Sequence, residues 1–250
     1  MAGGPLDLLV ARLEGYSQLD FADRAAILKL PYTLRSVQAR GQVIHEGDKA
    51  ESSCLVRSGF LARNKIVGNG TRQIVSIHMT GDMVNMHNSL LKRADHNVEA
   101  ITDADIALIP AKSILAVAIA RPAVAMAMWL DTLIDGSVFR EWIANVGRRD
   151  ARAKTAHILC EFGVRQEKAG LAPKDRYDLP LTQEQLADAL GLTQIHVNRT
   201  LKALEASGLI SRDRRMVTIS DRNALRAVGD FDPSYLHMEL MAETAAAEAA

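Results

Sequence analysis

Leu181–Ser220, LTQEQLADALGLTQIHVNRTLKALEASGLISRDRRMVTIS, is the stretch whose pattern decides the C-terminal architecture of this chain. Thr182 and Gln185 stand at capping-box spacing, where each side chain satisfies the other's backbone N–H at a helix start. Leu186, Ala187 and Leu190 give the helix that follows one apolar face. Gly191 ends it, because glycine enters the left-handed conformation of a helix C-terminus at little cost. Two residues later Thr193 caps a second helix, about residues 193–205, with Val197, Leu201 and Leu204 on its buried side. Two short helices joined by such a turn predict a helix-turn-helix. The outward side of the second helix carries Gln194, Ile195, Asn198, Arg199 and Lys202. These are the residue types that match base edges: arginine to guanine, glutamine or asparagine to adenine, isoleucine to a thymine methyl. His196 lies at the edge of that face within reach of a phosphate, and Thr182 and Thr193 join the expected contact set at the two helix starts. Ser211–Ser220 reads as a two-stranded hairpin, a wing, whose Arg212, Arg214 and Arg215 suit the DNA backbone rather than its sequence.

Charge is distributed to match. The 250 residues hold 30 Lys and Arg against 30 Asp and Glu, so the chain as a whole is neutral. Residues 148–226, however, carry 15 Lys and Arg against 10 Asp and Glu, a net of +5. The residues before that stretch hold 15 of each sign, and those after it hold no cation and 5 anions. A basic excess confined to one segment is the footprint of a surface that meets phosphates.

Upstream the texture changes twice. Leu6, Leu9, Val10 and Leu13 recur at helical spacing, and a second helical stretch, Phe21 to Leu30, stops at Pro31. From Val37 to Pro110, short β-prone runs (Gln42–His45, Ser53–Arg57, Phe60–Val67, Gln73–His78 and Asn97–Ile109) alternate with turn signals such as Ser58-Gly59 and Gly68-Asn69-Gly70. Many short strands with Gly-rich turns predict a small barrel or jelly roll. A short helix, Ala111–Ala120, and a long one from Pro122 to Arg148 follow. Along the long helix Met126, Leu130, Leu133 and Ile134, continued by Val138 and Ile143, form an apolar stripe suited either to the β-domain or to a second copy of itself. The fold class is therefore α+β. It comprises residues 1–120 as a β-domain with flanking helices, 121–148 as a long helix, 149–222 as a winged helix-turn-helix and 223–250 as a tail.

Composition excludes several classes. No run approaches the roughly 20 apolar residues of a membrane helix, and the N-terminus lacks a signal-peptide pattern, so a cytoplasmic protein is expected. Two cysteines, Cys54 and Cys160, make neither a disulfide framework nor a four-thiolate set; both read as small buried hydrophobes. A cupin-like metal enzyme is the competing class, but the His-x-His ligand pair it needs does not occur. A sensor acting through a protein partner, with a disused helix-turn-helix, is disfavoured by the intact polar face from Gln194 to Lys202. No metal ligands and no catalytic residues are expected.

The segment LTQEQLADALGLTQIHVNRTLKALEASGLI closely resembles the DNA-binding domain of the Crp/Fnr family of bacterial regulators. The likeness extends upstream through Val43-Ile44-His45-Glu46-Gly47-Asp48, Leu55–Phe60, Gly81-Asp82 and the long helix. It implies a cyclic-nucleotide-type β-roll, a dimerisation helix, a homodimer on twofold-symmetric double-stranded DNA, and RNA polymerase as a further partner. In the family's pattern the positions of Gln194, Ile195, Asn198 and Arg199 face the bases; Arg199 falls on a usual arginine, whereas Ile195 falls where many members carry glutamate.

The same resemblance argues against known effectors. Members that bind cyclic AMP use a Glu for the ribose hydroxyl and an Arg for the phosphate. Here Met86 replaces the carboxylate, and Asp95-His96-Asn97-Val98 supplies no arginine, with Arg93 out of register. A buried phosphate without its cation carries a large penalty. Iron–sulfur sensing by an N-terminal cysteine cluster is not expected, since no cysteine precedes Cys54. Haem ligation by His45, His78, His87 or His96 is not expected either, because no axial-ligand motif surrounds them.

Overall fold

In the computed structural model, which describes residues 4–238, the Gly-containing turns after Val37 do separate strands. One antiparallel sheet has the order β1 (Thr33–Val37), β8 (Ala104–Pro110), β3 (Ser52–Ser58), β6 (Met83–Val84). The other runs β2 (Gln42–Ile44), β7 (Asn97–Ala100), β4 (Leu61–Ile66), β5 (Arg72–His78). Both sheets contribute to one core of Val37, Cys54, Val56, Leu61, Val84, Val98 and Ile106. Asn97–Ile109, a single run by sequence pattern, is two strands of different sheets broken at Ile101–Asp103.

The turn between β3 and β4 needs its glycine. Gly59 has φ +79°, and a Cβ there would stand 2.3 Å from the Asp103 carbonyl oxygen and 2.9 Å from the Ala104 Cα. Both obstacles are backbone, so neither can swing aside. Gly59→Ala is expected to destabilise this domain by at least about 2 kcal/mol, visible as a lower urea midpoint at unchanged slope.

The chain forms two compact units. Among the described residues, the first takes in 4–63, 77–137 and 236–238; the second is Asn64–Ser76 with Val138–Tyr235. In the first, helices α1 (Asp7–Glu14), α2 (Phe21–Leu28), α3 (Ala111–Ala120) and the start of α4 (Pro122–Arg148) close over the first sheet. Leu9, Leu13, Ile27, Leu55, Met83, Ile109, Ile114 and Val124 form that core. Arg12 ties three elements of it together, donating to Asp131 and to Asp82 at 2.6 Å each.

The second unit is built around α5 (Ala151–Lys168), whose start is capped by Asp150 accepting from the Ala153 N–H. Its Glu161 is fully buried and accepts from Trp142 Nε1 (2.9 Å), the Tyr235 hydroxyl (2.8 Å) and Arg165 (3.2 Å). A buried carboxylate is tolerated only when surrounded by donors in this way. The described part of the expected tail 223–250, residues 223–238, departs from that expectation. Arg222–Gly229 forms α8, started by Asp221 accepting from the Ala224 N–H, with Leu225 fully buried. Gly229 lets α8 approach α5 closely: a Cβ there would meet the His157 backbone nitrogen at 2.7 Å. The Ala-rich end, from residue 239, lies outside the described residues.

Candidate nucleic-acid interface

Helix α6 (Gln183–Leu190) begins as its capping box dictates. Thr182 Oγ1 accepts from the Gln185 N–H at 3.1 Å, and Gln185 Oε1 accepts from the Thr182 N–H at 2.9 Å. Gly191 takes the left-handed conformation, φ 61°, and Thr193 then caps α7 (Gln194–Ala206) by accepting from the His196 N–H at 3.3 Å. Leu186, Ala187 and Leu190 of α6 are buried, as are Val197, Leu201 and Leu204 of α7. Burial of these six positions fixes which side of α7 faces outward.

That outward side presents Gln194, Ile195, His196, Arg199 and Lys202, all exposed, with Ile195 at 82%. An exposed aliphatic side chain at the centre of this polar face is available to pack on an apolar group of a partner. Together with Asn198 and Gln183 they line a shallow groove of about 490 Å³ that holds no carboxylate. Asn198 is half-buried, its Nδ2 donating to Gln183 Oε1 at 3.1 Å. The pattern of α7 alone did not reveal Gln183, which reaches this groove from the first turn of α6. Thr182 and Thr193 sit exposed at the two helix starts.

The wing is larger than the expected hairpin. β10 (Ile210–Asp213) and β11 (Met216–Ile219) pair antiparallel around the turn Arg214–Arg215, and β9 (Arg176–Asp178) adds a third strand along β11. Arg214 adopts φ 55° at the tip, and both tip arginines are exposed. Arg212 departs from the expectation. It lies within β10, and its Nη2 donates to Glu205 Oε2 at 2.8 Å, so its charge is answered inside the protein.

The apolar stripe of α4 is also redrawn. Met126 (48%), Trp129 (61%), Leu133 (51%) and Ile143 (72%) are exposed at heptad-like spacing, whereas Ile134 is buried and Leu130 half-buried. Spacing alone mixed two faces of one helix.

Neither cysteine is poised for chemistry. Cys54 and Cys160 are buried, and burial pushes each thiol up to about 12. Only thiolate reacts at useful rates, so both are expected to resist a thiol reagent at pH 8 in the native protein and to react together in denaturant. Fast labelling of either one without denaturant would contradict the burial. One grouping escaped the sequence pattern altogether. His87 and His96, set aside above as haem ligands, and Asp95 offer ligand-type atoms all within 4.8 Å of one another.

Comparison with known proteins agrees with this geometry. Residues 34–120 match the family described as the cyclic nucleotide-binding domain, and residues 153–228 the Crp-like helix-turn-helix domain. The transcriptional activator protein FnrL of Cereibacter sphaeroides is 30% identical over 219 residues, covering 86% of this chain and 87% of that protein. The nitrogen fixation regulation protein FixK of Azorhizobium caulinodans is 29% identical over 193 residues, covering 76% and 77%. Among solved structures, FixK2 from Bradyrhizobium japonicum superimposes with a TM-score of 0.73 at 24% identity, over 80% of this chain and 98% of that one.

Proposed function

The chain belongs to the Crp/Fnr family of transcription regulators, and from that premise we propose that it binds DNA as a homodimer, with α7 of each protomer in the major groove of one half of a twofold-symmetric site. The observation that carries the proposal is the outward face of α7: base-matching side chains without a carboxylate, held out by a buried opposite face. Arg199 pairs with a guanine, Gln194 and Asn198 with adenines, and Ile195 packs on a thymine methyl. Asn198 exchanges its bond to Gln183 for one to the base. Lys202, His196, Thr182, Thr193, Arg214 and Arg215 hold phosphates and so set register. Arg212 is withdrawn from that set because Glu205 already occupies it. The exposed seam of α4 pairs with its copy.

Cyclic AMP is not the effector in this reading. Met86 stands buried where a carboxylate would hold the ribose, and Arg93 donates to the Gly47 carbonyl at 2.7 Å. Two buried cysteines supply neither the thiolates nor the exposure for an iron–sulfur cluster. The relatives are transcription regulators, and we assign this chain no enzymatic step. Activator in the name of FnrL supports contact with RNA polymerase as the output. Among the described residues no helix is long and apolar enough to cross a membrane, which fits a regulator working on DNA in the cytoplasm.

Selection from random duplexes, followed by anisotropy titration at several salt concentrations, tests the reading. A palindromic consensus is expected. With Lys202, Arg214 and Arg215 of both protomers on phosphates, log K against log salt should fall with a slope of about −5. Binding without sequence preference, or a flat salt response, would refute the assignment of α7 and the wing.

A further inference from the structure

His87 lies in the 3-10 turn Met86–Ser89, and Asp95 and His96 in the loop before β7. Their two imidazoles and one carboxylate offer donor atoms within 4.8 Å of one another, and the two rings stand edge to face with centroids 5.9 Å apart. Donors around a four-coordinate ion at about 2.0–2.1 Å lie roughly 3.3 Å apart, so closure requires side-chain movements of about 1–1.5 Å.

The second layer prepares this set for an ion. His96 Nε2 lies 2.8 Å from Asn85 Oδ1, and Arg63 Nε donates to the same atom at 3.2 Å. A guanidinium N–H can only donate, so that atom is the amide oxygen and His96 must donate its Nε2–H to it. His96 Nδ1, 2.6 Å from Asp95 Oδ1, shares a proton with that carboxylate and is the nitrogen that faces the site. Such a hydrogen bond to the far ring nitrogen is how metal-binding histidines are oriented. Arg63 itself is buried and donates to Asp135 Oδ2 at 2.6 Å, which answers its charge locally.

We propose that His87, Asp95 and His96 form a binding site for a divalent transition-metal ion, and that this ion is the effector. Two imidazoles with one carboxylate select borderline ions of the zinc, cobalt or iron(II) type over magnesium or calcium, and leave a coordination position open. On binding, the ion takes the place of the proton between His96 Nδ1 and Asp95 Oδ1, which leaves to solvent. The path outward is short: His96 to Asn85, Asn85 to Arg63, Arg63 to Asp135 on α4. The ion thereby reaches the helix that carries the exposed seam; this effector role rests on the regulator reading above.

The test uses the full chain stripped with a chelator and titrated with Co²⁺ alone, then with Zn²⁺ as competitor. Visible absorption and equilibrium dialysis report binding, and anisotropy on the selected duplex reports DNA affinity. Expected is one Co²⁺ per chain, displaced by Zn²⁺. Affinity should fall at least about 100-fold in Asp95→Asn and in His87→Gln, beyond the loss of a mere outer partner, and should stay unchanged in His45→Gln. The Asp95 side chain is 77% exposed, so that variant keeps the fold. No stoichiometric binding, or equal binding in every variant, overturns the site. A metal-induced change in DNA affinity within the usual coupling range of about 5–150-fold, absent in Asp95→Asn, supports the effector role. An unchanged affinity overturns that role and leaves the site standing. Absence of DNA binding with and without Co²⁺ counts against the regulator reading and not against the site.

Discussion

Leu133→Glu should convert the protein from dimer to monomer and lower its affinity for a full palindromic site by about 10²–10⁴-fold, while leaving affinity for an isolated half-site nearly unchanged. The size follows from avidity, since joining two modules makes the second binding event intramolecular at a gain of about that order. Leu133 is 51% exposed on α4, one heptad after Met126, with Trp129 between them. Burying each such side chain against a partner is worth about 1.5–3 kcal/mol, whereas a carboxylate in the same seam meets its own copy across the twofold axis and must be desolvated besides. Glutamate keeps helix propensity high, so the helix itself survives. The neighbouring Ile134 separates pairing from folding. It is only 8% exposed, and Ile134→Glu should lower the urea midpoint of the chain instead of merely parting protomers. Sedimentation velocity, with anisotropy on full and half sites, gives the answer. A Leu133→Glu protein that remains dimeric would show that the seam does not pair.

How much of this was legible beforehand depends on where the determining forces lie. The α6–turn–α7 unit was readable almost residue by residue because its signals are local: Thr182, Gln185, Gly191 and Thr193 each act on backbone within four positions. The same holds for the turns between strands. By contrast β1, with four of five residues exposed, has no apolar alternation to reveal it and forms because β8 offers it a ladder from Thr33 opposite Leu108 to Val37 opposite Ala104. β6 and β9 span two and three residues, too short for any period. α8 hides because its buried positions are few, Leu225 and Gly229, and its value lies in covering α5. Where a helix has two apolar faces, as α4 does, spacing cannot say which one the rest of the chain covers. Partners distant in sequence were invisible for the same reason. Nothing local announces that Arg212 will meet Glu205, or that Asn85 will bring Arg63 and His96 to one oxygen.

At the base-reading surface the decisive comparison is Arg199→Ala against Lys202→Ala. Both side chains are exposed on the same groove and carry the same charge, so a purely electrostatic surface would respond equally to losing either. A bidentate arginine–guanine contact is worth about 1–3 kcal/mol of discrimination, and a symmetric dimer loses it twice, so Arg199→Ala should cost the palindrome about 2–6 kcal/mol. Loss of specificity should be confined to one base pair in each half-site, and the salt slope should change little, because a base contact releases few counterions. Lys202→Ala should weaken all sequences alike and flatten the slope by about 2 for the dimer, one step per phosphate. Selection with each variant, analysed position by position, separates these outcomes. If Arg199→Ala lowered every sequence equally and flattened the slope as Lys202→Ala does, Arg199 would be a phosphate contact. Sequence reading by α7 would then fall to Gln194, Ile195 and Asn198, the last already engaged by Gln183 at 3.1 Å in the unbound chain.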